Sequence, residues 1–177
     1  DHEWAKVTLN ELKSAYIAVR DRTDLDISRN LDFKMRPEQE EAVIKTISYI
    51  KDFKKDNPSS NIKFLWNAKM RFGKTFAAYQ LAKKMKWKKV LILTFQPAVQ
   101  AAWQDDLIRH IDFKDWQFLT KINSKLKKDD KPIACFGSFQ DFLGKNKLGG
   151  IKPLNRWVHE INWDCIIYDE YHYGAWR

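Results

Sequence analysis

Apolar positions recur at helical spacing in the first third of the chain, and further on also as short unbroken runs. Val7, Leu9, Leu12, Ala15, Tyr16 and Val19 fall three or four apart and predict a helix over residues 6–20. Residues 21–32 are polar and read as loop. Pro37 opens a second helix whose apolar positions are Ala42, Val43, Ile44, Ile47, Tyr49 and Ile50. Proline suits a first helical turn, where its missing N–H costs nothing. Asn57-Pro58-Ser59-Ser60-Asn61 reads as a loop.

Beyond that loop, runs alternate with helical spacing. Ile62–Trp66 predicts a strand, Lys74–Lys86 a helix, Val90–Thr94 a strand and Pro97–Ile111 a helix. Trp116–Thr120 and Ile133–Phe136 read as strands, Phe139–Leu143 as a helical turn, and Cys165–Tyr168 as a strand. The stretch from Asp141 to Trp157 is rich in Gly and reads as loop. Strands alternating with helices argue for a parallel, doubly wound α/β sheet. The strands are apolar without strict alternation, as in strands covered on both faces.

Composition narrows the class. The 177 residues suit one domain with a full core. Eight Trp, 6 Tyr and 11 Phe argue against disorder. The formal net charge of +9 favours a polyanionic partner, above all nucleic acid, though a solvated lysine surface would give the same balance. Lys83–Lys89 and Lys125–Lys131 are dense in lysine and read as solvated edges. Cys135 and Cys165 sit in apolar runs that suit reduced, buried thiols. No apolar stretch reaches the length of a membrane span, and the first residues lack the pattern of a signal peptide, so a cytoplasmic location is expected. The sequence starts without Met and runs out just after an acidic motif, which reads as a piece cut at both ends.

Two segments carry chemistry. Ala68-Lys69-Met70-Arg71-Phe72-Gly73-Lys74-Thr75 follows an expected strand and opens an expected helix, the context of a phosphate-binding loop. Backbone N–H groups of Met70, Arg71, Phe72 and Gly73 would wrap the phosphates of ATP at the positive end of the helix dipole. Lys74 would reach the β- and γ-phosphates, and the Thr75 hydroxyl would ligate Mg²⁺. The loop departs from the glycine-rich pattern at Ala68 and Arg71, so Arg71 must tolerate an unusual φ or the loop must bend differently. The second segment, Trp163 to His172, is an apolar strand ending in Asp169-Glu170. Asp169 would hold Mg²⁺, and Glu170 would orient and deprotonate the attacking water.

Together, Ala68–Thr75 and Asp169-Glu170-Tyr171-His172 resemble motifs I and II of the superfamily 2 helicases and translocases of the DExH type. Three further segments fall in that family's order. Phe33–Gln39 resembles its adenine-reading motif, Leu93–Pro97 with Trp103 its motif Ia, and Cys135–Gln140 its motif Ib. Within the superfamily the sequence is most similar to motor subunits of type I and type III restriction enzymes.

The resemblance implies a RecA-like P-loop domain over residues 33–177, truncated after motif II and preceded by a helical extension or linker over 1–32. It implies ATP and Mg²⁺ as cofactors, with Gln39 at the adenine edge and Phe33 and Arg36 flanking the base. Thr94, Gln96 and Ser138 would touch the backbone of the tracked strand, and His172 would couple that strand to hydrolysis. DNA is the expected track, with RNA left open. A second RecA-like domain carrying an arginine finger is expected in the same protein, alongside nuclease or methyltransferase domains.

Two other readings compete. A P-loop kinase or GTPase is opposed by Asp-Glu-Tyr-His and by the lack of an Asn-Lys-x-Asp. A non-catalytic basic nucleic-acid-binding module with a degenerate loop draws its support from Arg71.

Overall fold

A computed structural model describes residues 8, 9, 12, 29–120, 131–143 and 156–169. Most of the helix expected over 6–20, and of the extension or linker expected over 1–32, therefore falls outside the described residues. Of the helix's apolar positions only Leu9 and Leu12 are described, and both are exposed.

Among the described residues, four parallel strands form one sheet in the order β2-β3-β1-β4. They are β1 (Lys89–Thr94), β2 (Gln117–Thr120), β3 (Ile133–Ser138) and β4 (Cys165–Asp169). The residues of β1 sort by parity. Val90 and Ile92 join Ala134 and Phe136 of β3 in a cluster with Tyr79, Trp103, Leu107 and Phe113. Leu91 and Leu93 join Cys135, Phe142 and Val158 on the opposite face. Because successive strand side chains point to opposite faces, an unbroken apolar run feeds two cores at once.

Helix α1 (Pro37–Asp56) carries Glu38 and Glu40 in its first turn and Lys54 and Lys55 in its last, matching the helix dipole at both ends. Helix α2 (Lys74–Met85) packs on α1 through Val43, Ala77 and Leu81. It ends where Lys86 turns left-handed (φ 58°), with Lys86 N–H donating to the Lys83 carbonyl and Trp87 N–H to that of Ala82, a Schellman closure.

The long helix expected over Pro97–Ile111 is divided. A 3₁₀ turn (Pro97–Val99) leads into α3 (Gln100–Arg109), and a second 3₁₀ turn (Ile111–Phe113) follows. The break has a tertiary cause. His110 leaves helical geometry to bridge Leu31, and Arg29 donates to the carbonyls of Leu107 and His110 at 2.7 and 3.0 Å.

Two short helices cover the second face, α4 (Phe139–Leu143) and α5 (Arg156–Glu160). The latter overlaps the stretch read as loop only at Arg156 and Trp157; its single buried residue, Val158, packs against the sheet, and its carbonyl accepts the Trp163 indole N–H at 2.8 Å.

Ile62–Trp66 forms no strand. Its two aromatic side chains pack on helices instead, while Leu65 is exposed. Phe64 packs on Tyr49 of α1 at 5.2 Å between rings, and Trp66 donates to Thr46 Oγ1 at 2.8 Å while packing against the α1–α2 cluster. Among the described residues, no helix is long and apolar enough to cross a membrane.

Candidate nucleotide and metal site

The Ala68–Thr75 loop, expected to bind phosphate, contains two left-handed residues, Arg71 (φ 63°) and Gly73 (φ 77°). Arg71 thus takes the positive φ that a glycine would supply more cheaply, and the loop keeps its bend. Its carbonyls are held from below. Arg36 Nη2 donates to Arg71 O at 2.9 Å and also to Phe72 O. Gln39 Nε2 donates to Phe72 O at 2.7 Å and Gly73 O at 3.3 Å, while its Oε1 accepts the Arg36 N–H at 2.8 Å. A trans peptide points its N–H opposite to its carbonyl. Tying the carbonyls of Phe72 and Gly73 to Gln39 therefore turns the N–H groups of Gly73 and Lys74 to the other side, as an anion cradle needs.

Charge placement supports the same use. The first turn of α2 contains no acidic residue and begins with Lys74. A cation at the positive end of a helix is unfavourable unless an anion joins it.

Lys74 Nζ lies 3.5 Å from Asp169 Oδ1. Asp169 closes β4 level with Thr94 of β1, and it is buried. A buried carboxylate requires strong partners. Here Trp103 of α3 supplies a second one, its indole N–H donating to Asp169 Oδ2 at 2.8 Å. The hydroxyl of Thr75 donates to Asp106 Oδ2. Burial pushes the Asp106 carboxyl above its usual range, an effect countered in part by the Thr75 hydrogen bond. Thr75 and Asp169 offer hard oxygen donors, the chemistry that Mg²⁺ takes when one or two protein groups share it with phosphates. Among the described residues there is no cluster of three or more His, Cys, Asp or Glu of the kind that cages a metal in protein alone.

The other expected site residues are distributed as follows. Arg36, Met70, Arg71 and Phe72 line an open groove of about 580 Å³ between α1 and the segment before the loop. Phe33 and Gln39 are not among its lining residues. Phe33 packs on Phe76 and His110 with ring centroids 4.6 and 4.8 Å away, and Gln39 is buried beneath the loop.

Thr94 and Ser138 stand side by side at the carboxyl ends of β1 and β3. Both are buried, and their hydroxyls cap local turns. Thr94 Oγ1 accepts the Gln96 N–H at 3.0 Å, and Ser138 Oγ accepts the Asp141 N–H at 3.0 Å and donates to its carboxylate at 2.8 Å. Glu170 and His172 lie outside the described residues.

Three further residues bear on the site: Trp103, expected only as a companion of the Leu93–Pro97 segment, and Asp106 and His110, which no sequence motif marks. His110 Nε2 donates to Phe33 O at 2.9 Å, and its Nδ1 accepts the Asp112 N–H at 3.1 Å, fixing one tautomer. The signal in the sequence is an Asp three residues after a Trp within an expected helix, which puts both on one face.

A four-stranded parallel sheet flanked by helices, with the loop and the acidic residue together at its carboxyl edge, is a RecA-like α/β domain. Residues 32–176 match the ResIII family, described as type III restriction enzyme, res subunit, and the chain belongs to that family. It is also 40% identical over 150 residues to a Mycoplasma pneumoniae protein named as a putative type II restriction enzyme and methyltransferase C-terminus. That alignment takes in 78% of this chain and 20% of the relative, so the chain spans about a fifth of the relative's length.

Proposed function

We propose that the chain is the ATP-binding part of a DNA-dependent motor in a restriction-modification protein, a translocase or helicase that hydrolyses ATP. The observation that carries this reading is the meeting of Lys74 with Asp169 at 3.5 Å, one from the loop and one from the end of β4. Lys74 rests on the Asp169 carboxylate and exchanges it for the β- and γ-phosphates when ATP enters. The backbone of Met70 to Gly73 receives the phosphate oxygens. Thr75 and Asp169 would hold Mg²⁺, which when bound neutralises charge on the transferring phosphoryl group.

Glu170 would take the proton of the attacking water, and His172 would relay the state of the track. At the base end, Arg36 and Phe33 would flank adenine. Gln39 would read its edge once it releases part of its hold on the loop. Thr94, Gln96 and Ser138 mark the side of the sheet where the strand's phosphates would pass, and a net charge of +9 favours that polyanion. In this reading residues 1–32 are an extension and 33–177 the RecA-like unit. A second RecA-like domain with an arginine finger and the nuclease or methyltransferase domains belong to the same cytoplasmic protein.

The left-handed Arg71 supports a working loop over a degenerate one. Calorimetric titration of the intact protein with ADP and Mg²⁺ tests the reading. The expected result is saturable binding that Lys74→Ala weakens by at least tenfold, the loss of one charge-assisted contact. Binding that is absent, or indifferent to Lys74, would refute it.

A further inference from the structure

Trp103 and Asp106 lie three residues apart on α3 and reach two different elements of the site. Trp103 donates to the Asp169 carboxylate on β4, and Asp106 accepts from the Thr75 hydroxyl at the start of α2. These are the two groups assigned above to Mg²⁺. We infer that one face of α3 positions both metal ligands: Trp103 fixes the Asp169 carboxylate, and Asp106 fixes the Thr75 hydroxyl. This rests on the nucleotide-binding reading and deepens it.

The chemistry of each contact fits. An indole N–H can only donate, so the bond to Oδ2 fixes that oxygen and leaves Oδ1 on the side of Lys74. A threonine hydroxyl that gives its proton to a carboxylate directs its lone pairs elsewhere, and a hard cation needs those lone pairs.

The supports are rigid. Trp103 is buried, its ring meets Tyr79 edge-on at 5.4 Å and 88°, and its carbonyl accepts the Tyr79 hydroxyl at 2.9 Å. Tyr79 belongs to α2, the helix that begins with Lys74-Thr75. Helices α2 and α3 are thus fastened both at the site and one turn below it. The 3₁₀ turn after Thr94–Gln96 runs directly into α3, so this helix also links the carboxyl end of β1 to both ligands.

Partners of metal ligands typically change metal affinity by roughly ten- to a hundredfold when removed. The test is ADP titration of the intact protein in Mg²⁺ and again in EDTA, for Trp103→Phe, Asp106→Ala and Asp106→Asn. The expected result is a loss confined to the Mg²⁺-dependent gain in ADP affinity, of about tenfold or more for Trp103→Phe and Asp106→Ala. Asp106→Asn restores most of that gain, because its amide oxygen still accepts from Thr75. Should the buried Trp103→Phe variant fail to fold by circular dichroism, the Asp106 pair decides alone.

Three outcomes overturn the inference. Variants that keep the full Mg²⁺ gain would show that α3 does not position the ligands, with nucleotide binding still standing. Equal losses in Mg²⁺ and EDTA, unrescued by Asn, would show a merely structural role. A wild-type protein that binds no ADP would remove the underlying reading along with it.

Discussion

Gly73 and Arg71 share a left-handed backbone but tolerate substitution differently. A Cβ on Gly73 would lie 2.5 Å from Gln39 Nε2, and Gln39 is buried and fixed by three hydrogen bonds. Gly73→Ala is therefore expected to cost about 1–3 kcal/mol and to weaken ADP binding, whereas Arg71→Gly changes stability by about 1 kcal/mol at most. Thermal melts of the two variants check the contrast; equal effects would contradict it. The thiols give a second test. Burial pushes both Cys135 and Cys165 up to about 12, with Asp164 contributing at Cys165. The folded state therefore holds these protons more tightly than the unfolded chain, in which thiols ionise near 8.5. Their contribution is full below about pH 8.5 and is lost as pH rises towards 12. At pH 8 a thiol-reactive dye should label the native protein far more slowly than the unfolded one, with half-buried Cys165 reacting before Cys135. Rapid native labelling of Cys135 would refute this. At this scale the sequence marked Lys74, Thr75 and Asp169 as candidates, because a cation and hydroxyl at a helix start and a carboxylate at a strand end are chemically capable groups, and the structure brings Lys74 to 3.5 Å from Asp169. The sequence could not show the grip of Arg36 and Gln39 on the loop, which exists only after α1 docks beneath it.

Among the elements, β1 and β3 were legible because each is an apolar run with two faces to bury; β4 has the same apolar run, yet Ile166 and Tyr168 on one of its faces are exposed, against the expectation of strands covered on both faces. The run at Ile62–Trp66 carries the same local pattern, and nothing within it says that Tyr49 and Thr46 of a preceding helix will satisfy its aromatics. The division of the Pro97–Ile111 helix is equally non-local, since it follows from Leu31 and Arg29. One element boundary predicts a gain. Lys86 closes α2 in a left-handed conformation that costs a side-chain-bearing residue about 1–2 kcal/mol, and glycine's extra freedom when unfolded returns part of that. Lys86→Gly should stabilise the protein by roughly 0.5–1 kcal/mol, a rise of a few degrees in Tm for a chain of this size. A lower Tm would mean that the Lys86 side chain contributes more than its backbone costs.

Across the molecule, the carboxyl edge of the sheet gathers Thr94, Ser138 and Asp169 in adjacent register, and α3 passes over it carrying Trp103 and Asp106. The strand order has a further consequence, in the exchange of backbone protons with solvent. β1 is flanked by β3 and β4, so its amides alternate between two neighbours, whereas β4 has a strand partner only on the β1 side among the described residues. Opening β1 requires breaking ladders on both sides; alternate amides of β4 face away from β1. In D₂O the amides of Val90–Thr94, and those of Ile133–Phe136 in β3, which also lies between two strands, should therefore be the last to exchange. Those of Cys165–Asp169 should divide into a slow set facing β1 and a fast set facing outward. Uniform protection along all four strands would show that the outer side of β4 is covered in solution.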